Sequence, residues 1–237
     1  MLAIKHRDYP DARRFLDESI ALSGEFGDTA SRLRSMLSLG VVAVDTHDLE
    51  EAKRLNEETL ELARDTGDRR VVATAINNLS DLALVEGEYE SAARLAEESL
   101  TEARELGHRE SAVLALLNLA QANLFLQRLD EAARSLEEAL GLAVELGYRE
   151  SIAYALEGCA AIAAERDDPI CAARVIGAAE ALLDAIGSTL DQAATERHEL
   201  TLNELREHLG DQLLAELRQQ GRVLSVDEAS AEATAVL

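Results

Sequence analysis

Tryptophan is absent and aromatic residues make up only 3% of the chain, so the hydrophobic residues, nearly half of it, are dominated by Ala and Leu. Two cysteines, Cys159 and Cys171, provide neither a disulfide framework nor a metal-ligand set. There are two prolines in 237 residues, Pro10 and Pro169, and long helical stretches between them are uninterrupted. Basic residues are scarce: 23 Lys and Arg face 46 Asp and Glu, a net charge of −23 that argues against a phosphate-binding surface. No stretch approaches the roughly 20 consecutive apolar residues of a membrane span. The opening "MLAIKHRDYPDARR" lacks the apolar core and small-residue cleavage site of a signal peptide, so a cytoplasmic chain is expected.

What remains is Ala, Leu, Glu and Arg, a composition of long helices. It is ordered with a period of forty. Gly27, Gly67, Gly107, Gly147 and Gly187 stand forty residues apart, as do Ala12, Ala52, Ala92, Ala132 and Ala172. Arg14, Arg54, Arg94, Arg134 and Arg174 keep the same step, and so do Glu18, Glu58, Glu98 and Glu138. A large residue recurs at Tyr9, Leu49, Tyr89 and Leu129, until Pro169 takes the place. An uninterrupted period of this length marks a stacked array.

Each unit reads as two helices. Leu129, Ala132, Ala133, Leu136, Ala139, Leu140, Ala143 and Leu146 form one apolar helical stripe, closed by Gly147 in the left-handed conformation. The preceding helix, from about Arg109 to Phe125, is apolar around more of its circumference and should lie buried between neighbours. Short links at 47–49, 87–89 and 167–169 join the pairs. Asp48 with Glu51 fits a capping box, and Asp168 before Pro169 fits an N-cap followed by a first-turn proline.

The stretch "NLAQANLFLQRLDEAARSLEEAL" resembles a tetratricopeptide repeat: Ala120, Ala132, Leu136 and Ala139 fall on the motif's small and large positions, and Leu116 stands where an aromatic is usual. The forty-residue unit is similar to the extended repeat of MalT-like regulators. The segment over 172–229, ending "GRVLSVDEA", resembles the extreme C-terminus of large bacterial regulators. There an NB-ARC-like or AAA-like ATPase precedes the repeats, with a LuxR-type or SARP-type DNA-binding domain or a nucleotidyl cyclase elsewhere. The resemblance implies an all-α, right-handed tetratricopeptide-like superhelix of antiparallel helix pairs with a C-terminal helical cap. Residues 1–187 carry the repeats, in units of about 8–47, 48–87, 88–127, 128–167 and 168–187, and residues 188–237 form the cap and tail. No phosphate-binding loop or basic recognition helix occurs here, so ATP is expected only in an upstream domain and no cofactor in this chain.

Shifted by eighty residues, "LAIKHRDY" at 2–9 overlies "LALVEGEY" at 82–89, which places residue 2 near the end of a helix. The first unit then lacks its first helix, and Phe15, Leu16, Ile20 and Leu22 lack a partner. This predicts the C-terminal arm of a longer polypeptide and association through the N-terminal end.

Candidate chemistry is sparse. Glu57/Glu58, Glu97/Glu98 and Glu137/Glu138 repeat with the unit, whereas a catalytic pair is single and pocketed, so no enzyme is expected. These glutamates fit a solvated face, pairing either with the Arg four residues earlier or along an inter-repeat ladder. His6, His47, His108, His198 and His208 share no metal-ligand spacing, and the two cysteines read as buried free thiols.

The polar residues that interrupt apolar first helices are more informative. In tetratricopeptide folds these helices line the concave groove. That assigns Arg34, Asn77, Asn78, Asp81, Asn118, Gln121, Tyr154 and Glu157 to a partner-binding groove. Asn78 and Asn118 match a motif position that often holds a ligand's backbone. With Arg34 the sole clear cation on that face, an acidic C-terminal peptide is not the expected ligand. The implied role is the sensor or interaction arm of a bacterial regulator, binding a protein, a peptide or a small effector and acting on upstream ATPase and output domains. A free-standing scaffold or adaptor is the alternative.

Overall fold

A computed structural model describes residues 9–237; the overlap of 2–9 with a helix end lies outside them, but for Tyr9. Among the described residues eleven helices follow one another: α1 (Tyr9–Phe26), α2 (Thr29–Asp45), α3 (Leu49–Thr66), α4 (Arg69–Val85), α5 (Tyr89–Glu105), α6 (Arg109–Phe125), α7 (Leu129–Leu146), α8 (Arg149–Glu165), α9 (Pro169–Ile186), α10 (Gln192–Gly221) and α11 (Val226–Thr234). From α1 to α10 each helix packs on the next, α11 packs back on α9 and α8, and alternate helices α4, α6 and α8 lie side by side. The architecture is an α-α solenoid, as the sequence period requires. No described helix is long and apolar enough to cross a membrane.

The turns reveal a shorter period than the sequence does. Gly27, His47, Gly67, Gly87, Gly107, Gln127, Gly147, Asp167 and Gly187 all have positive φ, one every twenty residues. After each, the next amide donates to the carbonyl five residues earlier: Asp28 to Ser23, Asp48 to Ala43, Asp68 to Ala63, and so on to Ser188 and Leu183. This is the Schellman closure, which satisfies carbonyls that the helix end leaves open. Glycine at forty-residue spacing marks only the turns after outer helices. Those after inner helices use the same geometry with His, Gly, Gln or Asp, so no single residue type recurs there.

Helix starts vary more. Asp28, Asp48, Asp68, Asp168 and Asp191 accept an amide hydrogen bond from the third residue onward, with Pro169 opening α9 as expected. The expected capping box at Asp48 is only half made. Asp48 accepts from the Glu51 amide at 3.3 Å, but the Glu51 carboxylate is taken by Arg54 at 2.8 Å and by Arg13. A complete capping box stands instead at Ser225 and Glu228, opening α11.

The repeating glutamates resolve into both alternatives. Glu98 pairs with Arg64 at 3.0 Å and Glu138 with Arg104 at 2.5 Å, each in the preceding unit. Glu58 pairs with Arg54 on its own helix at 2.6 Å. The residue forty before Arg64 is Gly24, so Glu58 has no ladder partner and turns to its own helix. At the N-terminal end Phe15, Leu22 and Phe26 are exposed, whereas Leu16 and Ile20 are half-buried.

The largest core lies at the other end, where α6 to α9 meet α10 and α11. Helix α10 bends at Gly210, whose φ of 73° and ψ of 161° break the helix. It packs on α9 and α8 and reaches back to α4. It crosses α9 with backbones in contact: a Cβ on Gly177 would stand 2.0 Å from the Arg218 carbonyl oxygen, and one on Gly221 would stand 1.8 Å from that of Arg174.

Candidate functional site

The inner helices place equivalent residues in rows. Val41, Asp81 and Gln121, forty residues apart, line one cavity of about 550 Å³, together with the second row Asn77, Leu117 and Glu157. Leu114 and Tyr154 form a third. Leu124 and Leu136 complete the apolar wall, and Asp191, Ala194, Arg197 and His198 from the start of α10 close one side. The volume falls in the range of small-ligand pockets.

Six of the eight residues assigned to the groove from sequence meet here: Asn77, Asp81, Asn118, Gln121, Tyr154 and Glu157. Arg34 and Asn78 do not. Arg34 is exposed and donates to Ser31 Oγ at 3.2 Å. Asn78 donates to Asn56 Oδ1 at 2.9 Å, and the buried Asn56 in turn donates to the Ala52 carbonyl, so this amide ties α4 to α3. Asn118 makes long contacts with Asn77, at 3.4 Å to its carbonyl and 3.5 Å to its side chain.

Three groups that the sequence reading did not select come from α10. The Asp191 amide donates to Tyr154 Oη at 2.9 Å while its carboxylate caps α10 through the Ala194 amide at 2.8 Å. His198 Nδ1 lies 2.8 Å from Glu157 Oε2. Arg197 donates to Glu165 at 3.0 Å, and its guanidinium lies 6.0 Å from the Phe125 ring, itself stacked on Tyr89 at 4.4 Å. The forty-residue period stops at Gly187, so no internal comparison could single these residues out; the N-cap pattern of Asp191 was the one available signal.

The cavity is acidic. Asp81, Glu150, Glu157 and Asp191 face only Arg197 and His198. Ser188 binds Glu150, and His198 binds Glu157. Among the described residues Asp81 has no hydrogen bond or ion pair. Its enclosure, with the charge of Asp191 adding to it, pushes its carboxyl up to about 7. Burial raises Glu157, with His198 opposing, while the hydrogen bond that His198 makes to Glu157 raises His198. Burial, reinforced by Asp191, also holds the Tyr154 phenol protonated. Gln121 Nε2, Glu157 Oε1 and Arg197 Nε are buried without a partner among the described residues.

Other chemistry is thin. Cys159 is buried and Cys171 only half-buried, a partial departure from the buried pair expected; both are free. Burial pushes the Cys171 thiol up to about 11 and Cys159 higher still, so neither is a ready nucleophile. Among the described residues no three His, Cys, Asp or Glu side chains converge as metal ligands.

The family profile described as "Anaphase-promoting complex subunit 5" matches the sequence twice in succession, over residues 1–86 and 83–166. The chain belongs to that family. A double match, each covering about two units, is what a helical-repeat family gives on a tandem array. The likeness to a tetratricopeptide-type solenoid therefore holds at the level of the repeat. No curated protein sequence matches the chain. Of 28 matching solved chains, the crystal structure of BtubC (BKLC) from P. vanneervenii superposes with a TM-score of 0.63 at 19% identity. The alignment covers 97% of this chain and 91% of that one, a likeness of fold.

Proposed function

We propose that this protein is a non-catalytic interaction scaffold whose concave face receives a segment of a protein or peptide partner. The observation that carries the reading is the convergence of Asn77, Asp81, Asn118, Gln121, Tyr154 and Glu157 on one cavity of the inner helices. Membership of a helical-repeat family supports it. The test is a peptide-display selection on the purified chain, followed by Gln121→Ala and Tyr154→Ala. Both substitutions should abolish capture of the selected peptides, and Arg64→Ala on the outer ladder should not. Peptides insensitive to every groove substitution would sink the reading.

More narrowly, the scaffold is the sensor arm of a bacterial signalling or transcription regulator, a cytoplasmic protein with ATPase and output domains upstream. The "GRVLSVDEA" ending supports this. The free-standing scaffold is supported by the likeness to BtubC, a solved chain that aligns over nearly its full length. Genomic sequence separates the two. A reading frame running through Met1 into a phosphate-binding loop favours the arm, whereas a stop codon and ribosome site just upstream of Met1 sink it.

A further inference from the structure

The cavity carries a definite chemical asymmetry. Its floor is apolar, from Leu114, Leu117, Leu124 and Leu136. Into it project the half-buried carboxylate of Asp81, with no hydrogen-bond partner among the described residues, and the buried, unpartnered donor Gln121 Nε2, one forty-residue step apart on the same row. Of the nearby cations, Arg197 pairs with Glu165 through one terminal nitrogen while its buried Nε has no partner, and His198 pairs with Glu157; neither is paired with Asp81. The fold has no use for a carboxylate there, since the equivalent residues in the other units are Val41, Gln121 and Ala161. An enclosed charge without a counter-ion weakens a fold and is expected where a ligand completes it.

We propose that the cavity takes a lysine or arginine side chain of a peptide, its aliphatic stem on the leucine floor, its cationic head against Asp81, and a peptide carbonyl accepting from Gln121 Nε2. A metal cation is disfavoured because no three ligating side chains converge among the described residues. A simple amine would satisfy Asp81 but leave Gln121 without its acceptor, which is why the peptide form is preferred. The proposal rests on the groove reading above and adds the chemistry of the ligand to it.

The experiment titrates the full chain, followed by amide NMR shifts, with Nα-acetyl-lysine-N-methylamide, the arginine and norleucine counterparts, and n-pentylamine. The lysine and arginine derivatives should saturate at one site, with the norleucine derivative at least about tenfold weaker, the cost of one lost charge-assisted contact. Asp81→Asn should erase that preference while keeping helical circular dichroism, and Gln121→Leu should weaken the lysine and norleucine derivatives alike. Equal binding of lysine and norleucine derivatives, with Asp81→Asn indifferent, would overturn the cation site and leave the peptide groove standing. Pentylamine binding as tightly as the lysine derivative, with Gln121→Leu silent, would overturn the peptide form. Failure of every probe to saturate would overturn the proposal outright.

Discussion

Gly177 and Gly221 are the contact points at which α9 and α10 cross, each lying against the backbone of the facing helix. No side chain of any size fits there, since the obstacle on both sides is a main-chain carbonyl. Gly177→Ala is therefore expected to lever α10 away and to cost about 3 kcal/mol. Hydrogen exchange should rise in residues 192–234 and stay near wild type in α2 to α5. Uniform exchange loss along the solenoid would show instead that the crossing holds the whole array.

Asp81 sets a stability test as well as a binding one. Its folded pKa, about 7, lies above the unfolded carboxylate value. A group raised in this way favours folding while protonated, and that contribution is lost as pH climbs from about 4 to about 7. Asp81→Asn should thus be more stable than the parent at pH 8, by about 1–3 kcal/mol. The gap should close toward pH 4. Thermal unfolding at the two pH values measures it, and a variant less stable at pH 8 contradicts the assignment.

His198 follows the same direction for a different reason. Its pKa is raised chiefly by its hydrogen bond to Glu157, with Glu180 contributing, while burial and Arg218 oppose. Its stabilising contribution is complete below about pH 6.5, the unfolded value, and disappears as pH rises through the folded value. His198→Gln should therefore cost about 2 kcal/mol at pH 6 and much less at pH 9. Urea unfolding of the parent and variant at both pH values is the measurement, and a loss independent of pH would mean that packing alone is at work.

His47 holds a left-handed backbone, φ 59°, at a turn where Gly87 serves in the next unit. A Cβ in that conformation is unfavourable, though Gly also loosens the unfolded chain. His47→Gly should raise stability by about 0.5–1 kcal/mol in a urea titration. The reverse change, Gly87→His, should lower it by a similar amount.

Much of the architecture was legible because periodicity is redundant. Ala132, Leu136 and Gly147 each have counterparts in other units, so one unit's pattern corrects another's. The site was legible for the same reason where polar residues broke an apolar row, as at Asp81 and Gln121. It failed where the chemistry is local. Asn78 occupies a groove-type position by alignment, yet a neighbouring polar residue, Asn56, draws it into the helix interface. Likewise Glu51 is drawn from its capping role by Arg54 and Arg13. Asp191, Arg197 and His198 lie past the last repeat, and which wall of the groove they close depends on the route of α10, a tertiary fact that no local pattern encodes.

The chain turns every twenty residues by one hydrogen-bond device, while its residue types recur only every forty. Backbone geometry alone therefore does not distinguish the inner helix from the outer. Excising one helix and its turn would leave a chain that closes perfectly well as a solenoid. Every downstream helix, however, would exchange sides, turning leucine rows to solvent and glutamate ladders inward. Such an array can lengthen or shorten in whole pairs without penalty, but a single-helix step turns it inside out.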